Sequence, residues 1–236
     1  MAASLWLFLF ASSVLIRSSF AANAAFNKTV EAVPSCGVNS SEMFYHISQA
    51  KLLPFKRNIS TCDQNITDLA YPPKAIVDEN FATFWQAEGG KDNTTITVDL
   101  SGVNQKFYYV NFITISFGDY SRPKHIAFHK KSSTSGNFEP WHYLVTEEEQ
   151  CETVFGVPFN RFPIPTNAVL CTRYTGAALE TNENITINLE GGRGKIVNND
   201  GELNTQLLNW MNTTEVELKF SGLRLFPDPL AKRWVN

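Results

Sequence analysis

Residues 94–100 read TTITVDL, and from Thr95 onward polar and apolar residues alternate. Ile96, Val98 and Leu100 fall on one face of an extended chain, because successive residues of a strand point to opposite faces. A strand with one apolar and one polar face is typical of an antiparallel sheet that packs on a core with one side and meets solvent with the other. The sequence therefore predicts an antiparallel β structure here.

Further stretches of this character follow along the chain, bounded by loops that contain Gly, Pro or Asn. They cover residues 108–115, 125–129, 184–189 and 215–220. Short strands separated by such loops are typical of a sandwich or jelly roll. Residues 203–211 have Leu and Trp at helical spacing. We therefore expect an all-β fold, a jelly-roll β-sandwich with one or two short helices.

The first 21 residues have the features of a secretory signal peptide. An apolar run extends from Leu5 to Ile16, and small residues at Ser19 and Ala21 precede the predicted cleavage point after Ala21. An uncleaved membrane anchor is the alternative, but the run is shorter than the roughly 20 residues that cross a bilayer. We expect the mature chain, residues 22–236, to be one secreted domain without a membrane span.

The composition is that of an ordinary globular protein. Hydrophobic residues make up 43% and charged residues 18% of the chain, which argues against disorder. The net charge of -3 gives no signal for nucleic-acid binding. The length suits one large all-β domain better than two small ones.

Four cysteines are present, and an even number in a secreted chain is most simply explained by two disulfides. Three pairings are possible. We favour pairing between neighbours in sequence, Cys36 with Cys62 and Cys151 with Cys171, because short spans of this size close easily. Zinc binding is disfavoured because the cysteines do not lie at the short spacing of a zinc site.

The sequence contains a set of Asn-x-Ser/Thr motifs, the acceptors of N-linked glycans. The acceptors are Asn27, Asn39, Asn58, Asn65, Asn93, Asn184 and Asn212. After a signal peptide, such a set predicts a glycoprotein whose acceptor residues lie on an exposed backbone.

The sequence offers little for catalysis. It has no Gly-x-Ser-x-Gly turn, no His-Glu-x-x-His motif and no complete phosphate loop. His125 and His129 fall on the same face of a predicted strand, but a metal site would need a third ligand nearby. The glycine-rich residues 191–195 are interpreted as a flexible hairpin tip. We expect the protein not to be an enzyme.

A basic cluster occurs in a chain that is acidic as a whole. Arg122, Lys124, Lys130 and Lys131 lie within ten residues of one another. Sulphated glycans of the heparan type bind such clusters through charge-assisted hydrogen bonds. Strand alternation places Lys124 and Lys131 on opposite faces, so the cluster need not form a single patch. Heparan binding is therefore a hypothesis.

The most specific part of the sequence is YPP at 71–73, followed by VD at 77–78 and TFWQAE at 83–88. Other segments flank it in order: NAAFN at 23–27, SCG at 35–37, NTTITVDL at 93–100, SRP at 121–123, IAFHK at 126–130, CT at 171–172 and LEG at 189–191. This ordered set resembles the laminin N-terminal domain, the globular head of laminin short arms and of netrins. The resemblance covers most of the mature chain.

The resemblance implies a jelly roll of the galactose-binding-like class, in agreement with the strand pattern. It also implies a structural calcium ion held by oxygen ligands. Carried over to this sequence, the ligands are the backbone carbonyl of Ala75 and the side chains of Asp78 and Thr83. The alternative is that Asp78 and Thr83 only cap a turn.

The chain also departs from the family pattern. The family's last strand supplies a further calcium ligand, and here we expect it to be missing or formed by residues 232–236. Epidermal-growth-factor-like repeats, which follow in the family, are not expected. Phe84 and Gly118 occupy positions where netrin-like members carry cysteines. The absence of both cysteines is what the loss of one disulfide would produce.

The resemblance implies a role in adhesion or guidance within the extracellular matrix and basement membranes. The expected partners are laminin- or netrin-like chains, their receptors and sulphated glycans. We therefore expect a secreted binding module. The alternative is a lectin-like, carbohydrate-binding jelly roll that stacks sugars on exposed aromatic side chains such as Trp85, Trp141 or Trp234.

Overall fold

The computed structural model describes residues 5–11, 22–49, 56–102, 107–117, 123–132, 136–146, 149–158, 164–174, 184–197 and 201–223. The strands in these ranges are β1 (Leu5–Ala11), β2 (Ala22–Asn23), β3 (Thr29–Val33), β4 (Glu42–Gln49), β5 (Lys56–Cys62), β6 (Thr94–Asp99), β7 (Tyr108–Phe117), β8 (Pro123–Lys131), β9 (Glu139–Thr146), β10 (Leu170–Tyr174), β11 (Ile185–Asn188), β12 (Asn212–Thr213) and β13 (Glu215–Leu223). The helices are α1 (Cys151–Phe155), α2 (Thr205–Met211) and short 3₁₀ turns at Thr67–Leu69 and Pro73–Ile76. None of these helices is long and apolar enough to cross a membrane. The expected all-β fold with one or two short α-helices is confirmed.

The strands form two large sheets that pack as a jelly-roll β-sandwich. The six-stranded sheet has the order β10-β9-β8-β13-β6-β3, with antiparallel neighbours except for β10 and β9. The five-stranded sheet has the order β11-β7-β1-β2, with β12 also paired to β7, and β4 and β5 form a separate hairpin. Residues 232–236, which were expected to form the last strand if it is not missing, and Gly118 lie outside the described residues.

The main core lies between the two sheets and takes one apolar face from each. Ile96, Val98 and Leu100 are fully buried, as their alternation with polar residues predicted. On the opposite sheet, Phe117 of β7 meets Phe220 of β13 edge to face, with ring centroids 6.3 Å apart. The sequence pattern of residues 94–100 therefore identified the core face of the sheet correctly.

Strand β7 departs from simple alternation because its second half is buried on both faces. Thr114 and Ser116 alternate with core residues along the strand, so they point to the other face of the sheet, and yet they are also buried. The hydroxyl of Thr114 lies 2.9 Å from the hydroxyl of Thr186. Ser116 donates a hydrogen bond to the side-chain oxygen of Asn184 at 2.6 Å. The chain at β11 thus supplies the partners that these buried hydroxyls require.

Strand β1 lies within the predicted signal peptide. It pairs antiparallel with β7, from Leu5 opposite Phe117 to Ala11 opposite Val110. While the leader is part of the chain, its backbone N–H and C=O groups form hydrogen bonds with those at this edge of β7. Removal of residues 1–21 stays a prediction, and it would leave this edge without β1.

The two disulfides join cysteines that are neighbours in sequence, Cys36 with Cys62 and Cys151 with Cys171. Each disulfide belongs to a small apolar cluster outside the main core. The first ties the end of β5 to the chain before β4, and the second ties α1 to β10. The favoured pairing is confirmed.

Helix α2 begins two residues after the start of the predicted helical stretch. The side chain of Asn204 accepts a hydrogen bond from the backbone N–H of Leu207 at 3.1 Å. Such a cap satisfies an amide that has no partner within the helix, so it fixes where the helix begins. Leu207 and Trp210 are buried as predicted, whereas Leu203 is exposed and precedes the helix.

Candidate functional site

The predicted glycosylation acceptors all lie outside the strands of the six-stranded sheet. Asn27 and Asn93 lie just before β3 and β6, Asn39 lies between β3 and β4, Asn58 lies in β5, Asn65 follows β5, Asn184 precedes β11, and Asn212 begins β12. Of those whose side chains are described, Asn212 is partly buried and the others are exposed. Glycans at these positions would leave the outer face of the six-stranded sheet open.

A polar and aromatic cluster lies on that outer face, and we call it the histidine face. It consists of His125, His129, Tyr143, Phe155 and Glu217, from β8, β9, α1 and β13. Both histidines contribute, as their spacing of four residues predicted. Tyr143 and Phe155 pack on the Cys151–Cys171 disulfide. These two aromatic partners could not be predicted from the sequence around the histidines, because they come from other elements.

Ring contacts hold the histidine face together. Tyr143 and Phe155 stack nearly parallel, with centroids 4.1 Å apart and an interplanar angle of 8°. His129 meets Tyr143 edge to face at 6.3 Å, and His125 meets Phe155 in the same way at 6.2 Å. Because α1 carries Phe155 and is tied to β10 by a disulfide, the aromatic pair has a fixed place on the sheet.

Carboxylates lie beside both histidines. His129 Nδ1 lies 3.4 Å from Glu217 Oε1, which also pairs with Lys219 Nζ at 2.9 Å. His125 Nε2 lies 3.9 Å from Glu149 Oε1. Burial is the largest influence and lowers the pKa of both histidines, while Glu217 and Glu149 oppose the shift. The histidines are therefore neutral at neutral pH and can both donate and accept hydrogen bonds.

Lys130, which we expected to bind glycans, is not at the surface. It is only 4% exposed, and its Nζ donates to the backbone carbonyls of Trp210 at 2.6 Å and Asn209 at 3.2 Å. Burial lowers its pKa to about 8. The prediction for Lys130 is wrong because its side chain points to the core and caps the end of α2, where carbonyls lack helical partners.

The other described lysines of the basic cluster are already paired with carboxylates. Lys124 Nζ lies 3.4 Å from Glu149 Oε1, and Lys131 Nζ lies 2.6 Å from Glu215 Oε1. Arg122 lies outside the described residues. The cluster therefore does not form a single unpaired basic patch among the residues that the structure describes.

The three predicted calcium ligands come together in one place. Ala75, at the 3₁₀ turn, and Asp78 and Thr83 in the loop that follows line a single pocket of about 290 Å³. Tyr71 and Phe84 form part of its wall and stack on each other at 4.6 Å. The resemblance therefore selected residues that the fold does bring together.

The hydrogen bonds in this pocket are those of a capped turn. Thr83 Oγ1 donates to Asp78 Oδ2 at 2.6 Å, and the backbone N–H of Asn80 donates to Asp78 Oδ1 at 2.9 Å. A carboxylate and a hydroxyl oxygen in contact suit a hard cation, so the donor types fit calcium. Calcium takes six to eight oxygen ligands, so water or other chain segments would have to complete the shell.

Residues 191–195 are not the flexible tip that we expected. Arg193 is buried, and its Nε donates to the carbonyl of Leu189 at 3.0 Å while an Nη donates to that of Pro165 at 3.2 Å. Its guanidinium lies 4.9 Å from the ring centroid of Trp210. Arg193 therefore anchors this loop to α2, and the interpretation was wrong because it considered only the glycines.

A buried histidine was not predicted from the sequence. His142 lines a pocket of about 340 Å³ near β10 and β11, and its Nε2 lies 2.9 Å from Thr172 Oγ1. Burial, with a smaller contribution from Arg193, lowers its pKa to about 3. No motif marks this residue, since the pocket forms only when β9, β10 and β11 meet.

Two of the tryptophans considered for sugar stacking are core residues. Trp85 is 1% and Trp141 0% exposed. Trp85 Nε1 donates to Ser35 Oγ at 2.8 Å inside the protein. Trp234 lies outside the described residues. The carbohydrate-binding alternative therefore loses the exposed platforms that Trp85 and Trp141 were to supply.

Known proteins with similar sequences are laminin and netrin chains. The chain is 25% identical over 224 residues to laminin-like protein lam-2 of Caenorhabditis elegans, covering 89% of this chain and 13% of that protein. It is 25% identical over 214 residues to laminin subunit gamma-1 of Xenopus tropicalis, covering 87% and 13%. Netrin-4 of Mus musculus is 24% identical over 157 residues, covering 65% and 23%. The chain thus spans only a small part of the length of these relatives.

A solved structure, CpGH89CBM32-4 produced by Clostridium perfringens, covers 87% of this chain with 12% identity and a TM-score of 0.41. A likeness of that degree is too weak to argue from. The sequence model of the laminin N-terminal domain (domain VI), in contrast, matches residues 18–235. Because that match covers nearly the whole sequence and the structure is a jelly-roll sandwich, the chain belongs to the laminin N-terminal (domain VI) family.

Proposed function

We propose that the chain is a secreted, N-glycosylated module of the extracellular matrix that binds laminin- or netrin-like chains, or their receptors, through the histidine face. The distribution of the glycosylation acceptors carries the proposal, because none of them lies in a strand of the six-stranded sheet. N-linked glycans are bulky and cover surface. A sheet face that they leave open is therefore one on which another protein can dock.

The chemistry of the histidine face suits a protein partner. Tyr143 and Phe155 offer a stacked aromatic pair, and aromatic side chains contribute strongly at the centres of protein interfaces. The two neutral histidines and the Glu217–Lys219 pair surround it with groups that donate and accept hydrogen bonds. Specificity would come from matching these polar groups around the aromatic centre.

Membership of the family supports an extracellular location and a binding role. The relatives are laminin and netrin chains of the extracellular matrix, and the family consists of structural and binding proteins. We therefore propose no catalytic activity. Because the chain spans 13% of the laminin relatives, we carry over only binding by the head and none of the functions of the rest.

A single substitution can place a glycan on the histidine face. Lys219 is exposed and is followed by Phe220 and Ser221, so Lys219→Asn completes an acceptor motif beside Glu217. If this face docks, the added glycan should weaken binding to immobilised laminin or netrin heads by at least about tenfold, or about 1.4 kcal/mol. Surface plasmon resonance measures the affinity, and glycosidase treatment with mass spectrometry verifies the glycan.

Two controls separate the position of the glycan from its other effects. Lys219→Gln removes the same charge without adding a glycan. Leu203→Asn completes an acceptor motif with Asn204 and Thr205 away from the six-stranded sheet, at another exposed position. Leu203→Asn should bind as the unmodified module does, and Lys219→Gln should lose less affinity than Lys219→Asn because it adds no glycan. Equal binding by all three variants would contradict docking at the histidine face.

We also propose that calcium binds at Ala75, Asp78 and Thr83. The support is that the three residues implied by the family line one pocket and that their donors are oxygens. When bound, calcium would hold the 3₁₀ turn and the following loop together electrostatically. The role is structural, since the pocket lies apart from the histidine face in the sequence and shares none of its residues.

Binding of heparan-type glycans through Arg122, Lys124 and Lys131 is a separate proposal. Glycan sulphates would have to displace Glu149 and Glu215 from the two lysines. The combined variant Lys124→Glu and Lys131→Glu should then elute from a heparin column at lower salt than the unmodified chain. Unchanged elution would rule these lysines out.

A further inference from the structure

The pocket of about 340 Å³ lies between the two sheets, on the side where β10 and β11 are the edge strands. Its walls are largely aliphatic, and the side chains that form them are Leu144, Ile164, Leu170, Ile185 and Ile187. Arg173, Thr186 and Asn188 also line the pocket and are exposed, so the pocket reaches the surface. A pocket of this size and lining suits a small molecule with an apolar body.

His142 is the most buried polar side chain in the wall of this pocket, with 3% of its surface exposed. Its Nε2 lies 2.9 Å from Thr172 Oγ1. Its Nδ1 is buried and has no hydrogen-bond partner among the residues that the structure describes. When Thr172 donates to Nε2, the ring carries its proton on Nδ1. A buried donor without a partner is costly, so the pocket favours a ligand that brings an acceptor oxygen to Nδ1.

Arg193 brings a positive charge close to the same pocket. It is 4% exposed, its neighbour Gly192 lines the pocket, and its Nη1 donates to the carbonyl of Pro165, which follows the wall residue Ile164. Its Nη2 is buried and has no hydrogen-bond partner in the described part of the chain. Within that part, no carboxylate pairs with Arg193 and no acidic residue lines the pocket. Because a buried charge is normally paired, the charge balance here favours an anionic ligand.

We propose that this pocket binds a small carboxylate with an apolar tail of medium length. The carboxylate accepts a hydrogen bond from Nδ1 of His142 and lies in the field of Arg193, where burial strengthens electrostatic attraction. The tail lies between Leu170 of β10 and Ile187 of β11, so it contacts both sheets. The pocket shares no residue with the histidine face or the calcium pocket. The inference therefore goes beyond the proposed binding of a partner protein and does not depend on it.

The test uses the full chain secreted from animal cells and octanoate as the probe, with binding measured by isothermal titration calorimetry at neutral pH. Octanoate should bind with a Kd of about 0.1 mM, which the affinity per atom of small ligands allows. Octanol has a tail of the same length without the charge and should bind at least about tenfold more weakly. Butanoate keeps the charge but has little tail to bury, so it should bind more weakly as well.

Substitutions locate the probe in the pocket. His142→Phe keeps a ring but removes Nδ1, so it should weaken octanoate by at least about tenfold. Leu170→Trp fills the pocket and should abolish binding, whereas Leu203→Trp adds the same bulk at an exposed position outside the pocket and should have no effect.

Urea unfolding verifies that each variant folds, and if His142→Phe does not, octanol and Leu170→Trp decide. The inference is overturned if octanoate does not bind at millimolar concentration, binds no better than octanol, or binds equally well to the folded pocket variants. None of these results bears on binding to laminin or netrin heads, which is measured separately.

Discussion

Gly37 occupies a position where both its conformation and its surroundings require glycine. Its φ is +74°, and an added Cβ would lie 2.7 Å from the backbone nitrogen of Asp63. Gly90 has nearly the same φ, +73°, but an added Cβ would meet nothing within 4 Å. We expect Gly37→Ala to lower the free energy of unfolding by about 2 kcal/mol more than Gly90→Ala. Urea unfolding measures both, and equal losses would show that the contact with Asp63 has no cost.

His142 should make stability depend on pH. Its pKa is lowered from 6.5 to about 3 by burial, so between these values the unfolded chain binds a proton that the folded chain does not. The stability contribution is complete above about pH 6.5 and is lost as the pH falls toward the folded pKa, at on the order of 1.4 kcal/mol per pH unit. His142→Gln removes this titration.

The measurement is the free energy of unfolding in urea between pH 7 and pH 4, for the unmodified chain and for His142→Gln. The variant should show a shallower loss of stability on acidification. His125→Gln, at a more exposed histidine, is the control and should remove less of the slope. Identical slopes for all three proteins would mean that His142 is not held neutral by the fold.

Single residues also show how far sequence reasoning reached. Lys130 lies two and four residues after Phe128 and Ile126, so strand alternation already placed it on the core face. The prediction of a surface position rests on the charge alone and ignores this alternation, which is why it is wrong. The carbonyls that bind it belong to residues 209–212. Only the folded chain brings these partners to β8, so no local pattern could identify them.

At the scale of elements, the turn around Asp78 is the place to test calcium. We expect millimolar calcium to raise the melting temperature of the unmodified chain, because a ligand that binds only the folded state stabilises it. Asp78→Asn keeps an oxygen acceptor for the Asn80 N–H but removes the charge, so this variant should not respond. Glu79→Gln removes the neighbouring charge and should respond normally. A melting temperature of the unmodified chain that ignores calcium would contradict the site.

Elements with a clear alternation were predictable, and those defined by distant partners were not. The stretches at β6, β8 and β13 have one apolar face each, and all three are strands of the six-stranded sheet. Strand β10 has only five residues and pairs in parallel with β9, so its pattern is too short to identify. Helix α2 begins later than its apolar spacing predicts, because the side-chain hydrogen bond of Asn204 sets the N-terminus of the helix.

For the molecule as a whole, the sequence predicted the class of fold, the pairing of the cysteines and the family, and the structure and the family match confirm them. The resemblance also predicted that Ala75, Asp78 and Thr83 share one site, and the three residues line one pocket. The histidine face was recognised only through its two histidines. Its remaining members come from β9, α1 and β13, and their meeting depends on strand order, which alternation does not determine.

The central claim is that this module binds a laminin- or netrin-like partner, and competition with laminin assembly tests it most directly. The secreted chain is added in increasing amounts to purified laminin in a buffer that contains calcium, and the laminin polymer is quantified by sedimentation. We expect polymer to decrease with dose, and the Lys219→Asn variant to require at least about tenfold more protein for the same effect. Unchanged polymer at a large molar excess of the module, together with no binding to netrin heads or their receptors, would contradict the account.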